Sequence, residues 1–236
     1  MSKNNRILEA AHQRWRRVSV VCMAWFATGA CVTSRVGATS TDQRALFDPA
    51  SPFWREAAPS VYRARVETSR GPFVMEVHRV WAPIGADRLY NLIRAGYYDD
   101  SRFTRVVPGF IVQFGIARDS AINATWVSRS FADDPPRQSN TRGTFAFAMT
   151  GPNARTTQIY INLIDNSARL DSQNFAPLGR VVGGMSVVDS LYGGYGENSG
   201  GGMRAGKQGP LLNGGNGYVD REFPKLDRLV RITVER

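Results

Sequence analysis

Between Phe103 and Gly115 the chain reads F-T-R-V-V-P-G-F-I-V-Q-F-G, and no other stretch limits the possible fold as much. β-branched and aromatic residues alternate through it, which is a strand pattern. The Pro108-Gly109 pair breaks it into two short strands joined by a turn. A single charged residue, Arg105, lies on the first strand and a single amide, Gln113, on the second. Taken alone, this describes a β-hairpin with a solvated arginine. Period-two alternation also marks residues 61–69 and 73–79, and short strands fit 103–107, 110–114, 145–149, 158–163 and 229–234. Pro83 opens a helix whose Ile84, Leu89, Leu92 and Ile93 share a face, and Gly96 ends it. A second short helix fits 186–191. Many short strands with only two helices argue for an all-β barrel.

A second segment, residues 143–161, reads G-T-F-A-F-A-M-T-G-P-N-A-R-T-T-Q-I-Y-I. Together the two stretches closely resemble the signature segments of the cyclophilins, the peptidyl-prolyl cis-trans isomerases that rotate X-Pro bonds. The similarity is colinear over roughly residues 61–235. It includes V-E-T-S-R-G-P-F-V-M-E-V at 66–77, with Gly71 in the tight turn, and L-D-S-Q-N-F-A-P-L-G-R-V-V-G-G-M-S-V-V-D at 170–189. The resemblance implies a mainly β fold, a closed eight-stranded antiparallel barrel capped by two helices, with no cofactor.

The resemblance also assigns roles. Arg105 matches the catalytic arginine, which donates a hydrogen bond to the prolyl nitrogen as the peptide twists. Phe110, Ile111, Tyr160 and Leu170 match the walls of the proline slot. Gln113 matches the glutamine that holds the substrate backbone, Ala148 and Met149 line the strand along which the peptide lies, and Gln158 supports Arg105. Four positions depart from the pattern. Ile111 stands where Met is common and Met149 where Asn is common. Arg169 falls near the usual Trp, a residue that aids cyclosporin binding. The usual His falls at Asn174 or Phe175, because residues 174–178 are one longer than the compact pattern. Were Arg105 not the catalytic cation, Arg155 is the alternative. The competing function is a cyclophilin-like binding module for proline-containing segments with little turnover; the presence of Arg105 favours the enzyme.

Composition bounds the rest. The 236 residues suffice for one domain with a proper core. Of the net charge of +10, half lies in residues 1–40, which hold six basic residues and one acid. The remainder has no Lys/Arg stripe, which argues against specific nucleic-acid binding. Cys22 and Cys31 are the only cysteines and both precede the barrel region. That region therefore has no disulfide, thiol nucleophile or zinc cluster, and the sequence has no metal-ligand spacing. His12 and His78 are far from any Ser or Asp constellation, which argues against a hydrolytic triad.

The basic run ending at Arg16-Arg17 and the apolar stretch 18–30 suit an export signal, being too short for a comfortable membrane span. Thr28-Gly29-Ala30-Cys31 resembles a bacterial lipoprotein box, with Thr28 in place of the usual Leu. Cleavage after Ala38, twin-arginine export and a basic cytosolic tail are the alternatives. The expected organisation is a signal region at 1–38, a connector at 39–60 that drapes on the barrel or on a neighbour through Leu46, Phe47, Phe53 and Trp54, and the isomerase domain at 61–236. Residues 193–217 carry eleven of the 23 glycines and read as a long flexible loop. The expected protein is a monomer acting on unfolded or proline-containing polypeptides, exported to the periplasm or held at a membrane by lipid on Cys31.

Overall fold

A computed structural model of the protein describes residues 35–36, 40–199 and 208–235. The apolar stretch 18–30, Cys22, Cys31, Ala38 and the glycines between 200 and 206 lie outside the described residues.

Ten strands form one antiparallel sheet. They are β1 (Arg35–Val36), β2 (Val61–Thr68), β3 (Gly71–His78), β4 (Ser101–Arg102), β5 (Arg105–Val107), β6 (Ile111–Phe114), β7 (Thr144–Phe147), β8 (Ile159–Asn162), β9 (Gly179–Gly183) and β10 (Arg228–Glu235). Their spatial order is β1-β10-β2-β3-β9-β7-β8-β6-β5, with β4 also on β10. The eight strands from β10 to β5 are the expected barrel. The strand expected at 103–107 is displaced and broken: β4 pairs with β10 and β5 with β6. Phe103 and Thr104, between them, are buried. The chain itself thus bridges the seam between the two ends of the curled sheet.

Period-two alternation sends one side of each strand inward. Val66, Phe73, Met75, Val112, Phe114, Phe145, Phe147, Ile159 and Ile161 belong to one core cluster. Gly179 lets β9 approach β3, since a Cβ there would lie 2.1 Å from the Glu76 carbonyl oxygen.

Helix α2 (Pro83–Arg94) begins at the expected proline. It ends as expected at Gly96, where φ is 69°. The Gly96 N–H bonds the Ile93 carbonyl at 2.9 Å and the Tyr97 N–H bonds the Leu92 carbonyl at 3.0 Å, the double bond of a Schellman stop. Ile84 is 42% exposed and does not join the buried face, which is Gly85, Ala86, Leu89, Asn91, Leu92 and Ile93. At the helix start Ala82 has no side-chain acceptor. Asp134, from a distant loop, replaces it, taking the Ile84 N–H at 3.0 Å and the Gly85 N–H at 2.7 Å.

The connector is stitched to this helix. Asn91 Nδ2 donates to the Glu56 carbonyl at 2.8 Å, and the Ala58 N–H donates to Asp87 at 2.8 Å. Leu46 is buried, and its carbonyl accepts from Trp126 Nε1 at 2.8 Å; Phe53 and Trp54 pack on the core. Phe47 is 59% exposed and anchors nothing.

The expectation of two helices falls short. Both expected helices are present, α2 and the short α5 (Met185–Asp189), but α1 (Ser40–Arg44), α3 (Ser120–Trp126) and α4 (Ser167–Leu170) are additional, and residues 208–217, expected in the flexible loop, form most of α6 (Gln208–Glu222). Its glycines weaken helix propensity, which is why it reads as loop. Tertiary burial overrides this: Leu211 and Val219 pack with Ile116 and Leu226. Gly215, at φ 52° and ψ −149°, kinks the element, and a Cβ there would lie 2.5 Å from the Arg118 carbonyl oxygen.

Candidate active site

Strand register aligns the site. Arg105 on β5 lies opposite Gln113 on β6, Gln113 opposite Tyr160 on β8, and Tyr160 opposite Ala146 on β7. These four share one face of the sheet, the side away from the core, because their neighbours Val106, Val112, Phe114, Ile159 and Ile161 point inward. Pro108 and Gly109 (φ 70°) turn the chain between β5 and β6, closed by the Phe110 N–H on the Val107 carbonyl at 3.0 Å.

The outward face would normally be wet. Here a second apolar cluster covers it, made of Ile111, Ala146, Tyr160 and Leu170 with Phe110, Ala148 and Phe175 against them. This makes an apolar slot beside a polar row. Arg105 Nη1 donates to Gln113 Oε1 at 2.9 Å, Gln113 Nε2 to Gln158 Oε1 at 2.9 Å, and Gln158 Nε2 to Gln208 Oε1 at 3.0 Å. Arg105 Nε and Nη2 donate to the two carboxylate oxygens of Glu197 at 2.8 and 2.7 Å. The Arg105 side chain is only 14% exposed, and its guanidinium carbon lies 5.6 Å from the centre of the Phe110 ring.

Slot and row open into one cavity of about 620 Å³. All nine expected residues line it: Arg105, Phe110, Ile111, Gln113, Ala148, Met149, Gln158, Tyr160 and Leu170. Burial pushes the Tyr160 phenol well above its usual range, so it stays a neutral donor; it bonds Asn140 Oδ1 at 2.6 Å. Asn140 is held in turn by Asp171, which accepts from its Nδ2 at 2.8 Å.

Of the two residues left open in the register, Phe175 is the one that faces the cavity. Phe175 packs edge-on against Tyr160 with centroids 5.5 Å apart and lines the cavity. Asn174 adopts a left-handed conformation, with φ 61°. Arg169 lies over Phe110, 4.3 Å from the ring centre. Arg155 does not line the cavity; it is buried, donating to Asp133 and to the Asn174 carbonyl. Asn140 and Gln208 carry no signal in the sequence, because each reaches the site from an irregular or glycine-rich stretch; Glu197 lies in a Tyr195-Gly196-Glu197 run that resembles the longer loop of some bacterial cyclophilins, but that run assigns it no role. Among the described residues no group of three or more metal-binding side chains occurs.

Known proteins resemble this chain. Residues 63–204 match the family model described as cyclophilin type peptidyl-prolyl cis-trans isomerase/CLD; α6 and Gln208 lie beyond that stretch. A peptidyl-prolyl cis-trans isomerase of Acinetobacter baylyi is 30% identical over 131 residues, covering 53% of this chain and 69% of that one. Peptidyl-prolyl cis-trans isomerase A of Dickeya dadantii is 32% identical over 141 residues, covering 57% and 73%. Among solved structures, a cyclophilin type peptidyl-prolyl cis-trans isomerase of Cryptosporidium parvum has a TM-score of 0.53 at 18% identity. It covers 75% of this chain and 98% of that one, a likeness of fold.

Proposed function

Since the chain belongs to the cyclophilin-type peptidyl-prolyl cis-trans isomerase family and rotates X-Pro bonds in proline-containing peptides, we propose that Arg105 is the group that does so. Rotation about a peptide bond costs about 18–20 kcal/mol because it destroys amide resonance. Catalysis requires tighter binding of the twisted bond than of either planar isomer. Twisting returns a lone pair to the prolyl nitrogen. A guanidinium stays charged and offers a fork of donors to it. Phe110, Ile111, Tyr160 and Leu170 enclose the proline ring, while Gln113 holds the adjacent backbone. A donor of this kind is worth ~3–4 kcal/mol in a shielded transition state, or about 10²–10³ in rate. The observation that carries this reading is that Arg105 and the apolar slot open into one cavity. Arg105→Ala is expected to lower kcat/KM at least about ten-fold in a protease-coupled assay while the barrel stays folded. Wild-type activity in the folded variant would remove Arg105 from the mechanism.

We propose further that the protein acts as a monomer on unfolded or exposed proline-containing segments after export, and that lipid on Cys31 holds it at a membrane. Pairing of β1 with β10 supports this choice of processing site. Arg35 faces Glu235 and Val36 faces Val234, so a chain starting at Cys31 keeps β1 and a chain cut after Ala38 loses it.

A further inference from the structure

The chain between α5 and β10 does more than connect them. It supplies Glu197 to one end of the polar row and Gln208 to the other. We propose that Glu197 and Gln208 are positioning residues that clamp the row Arg105–Gln113–Gln158 from both ends, so that the catalytic guanidinium meets the substrate in one orientation. The proposal rests on the reading of Arg105 as the catalytic cation.

The chemistry of each contact fits that task. A guanidinium carries five N–H groups. The side-on carboxylate of Glu197 takes one on Nε and one on Nη2, and Gln113 takes one on Nη1. Three acceptors fix the plane and rotation of the group, and two N–H groups are left for a substrate. The row is also polarised. Because arginine can only donate, Gln113 must turn its oxygen to Arg105 and its NH₂ to Gln158, which then turns its own NH₂ outward. Gln208 Oε1 accepts there.

Both residues sit on anchored backbone. Gly196 forms an isolated antiparallel bridge with Val106, directly beside Arg105. Ser199 Oγ donates to the Thr104 carbonyl at 2.9 Å, which stitches residues 196–199 along β5. The start of α6 is held by Asn123 Nδ2 on the Leu212 carbonyl at 3.2 Å and by buried Leu211. A long flexible side chain on a β-strand gains most from such support, since misplacement by about 1 Å can cost 10²-fold in rate.

The test uses the full-length chain. Glu197→Ala is expected to lower kcat about ten-fold with KM within about two-fold of wild type and an unchanged melting temperature. Glu197→Gln, which keeps shape and one acceptor, falls between. In an Arg105→Lys background, where an ammonium offers no edge to clamp, Glu197→Ala should change kcat by less than about two-fold. Gln208→Ala should cost about three-fold in kcat, and Gln208→Glu, which still accepts from Gln158, should restore it. Unaltered or raised kcat in folded Glu197→Ala and Glu197→Gln overturns the clamp while leaving Arg105 in place. Full activity of Arg105→Ala overturns both. Equal losses from Glu197→Ala in the wild-type and Arg105→Lys backgrounds, with lowered melting temperatures, show a structural role and overturn it also.

Discussion

At the scale of single residues, the outward row is readable in the sequence and its supports are not. Along β6 and β8 the alternation alone separates Ile111, Gln113 and Tyr160 from the core residues between them. Phe175 and Asn174 are indistinguishable there because the count is off by one; in the structure Asn174 turns left-handed and Phe175 lines the cavity. Arg169 has a testable consequence. It lines the cavity over Phe110, where an indole would offer a donor and an apolar face. Arg169→Trp is expected to tighten cyclosporin inhibition about ten-fold, roughly the ~1.4 kcal/mol that an aromatic pair contributes. Tight inhibition of the unmodified protein would argue against this. Asp99 makes a prediction about pH. Its Oδ1 is buried without a hydrogen-bond partner. Burial outweighs a backbone donor and the nearby Arg118 and Arg231, and raises its pKa to about 6. Because the folded value lies above the ordinary 3.8, protonated Asp99 favours the native state. Its contribution is whole below pH about 4 and is lost as pH rises through about 6. Asp99→Asn should therefore stabilise the protein at pH 8 by ~1–2 kcal/mol after solvent screening, with the difference closing at pH 4 in urea titrations.

At the scale of elements, local rules locate β2, β3, β6, β8, α2 and α5 to within a residue or two, because each carries its own period or stop signal. They miss α6, whose glycines speak for a loop and whose helical form depends on Leu211 and Val219 reaching a distant cluster. They also miss how α2 starts. Pro83 is legible as a first-turn residue, but the acceptor comes from Asp134, about fifty positions on. Its carboxylate satisfies two N–H groups and faces the positive end of the helix dipole. Asp134→Ala should destabilise the protein by ~2 kcal/mol and Asp134→Asn by less, read from urea midpoints at constant m. Equal stability of Asp134→Ala and wild type would show that water replaces the cap.

At the scale of the whole molecule, a lipid on Cys31 determines where the protein fractionates. One acyl chain holds a protein only marginally, whereas the several chains of a bacterial lipoprotein hold it firmly. Cys31→Ser is expected to release the domain from membranes or block its processing. If the variant fractionates like its parent, intact mass separates the other possibilities: a start after Ala38 means simple secretion, an unprocessed chain a signal anchor or a tail. The seam described above also orders events in time. Among the described residues β4 pairs with β10 alone, well over a hundred positions further along, and Arg105 stands three residues beyond β4. During synthesis the arginine leaves the ribosome long before the strand that completes its surroundings. Contacts this distant in sequence form late, after the local hairpins. In a growing chain the seam beside Arg105 therefore closes after the local hairpins have formed.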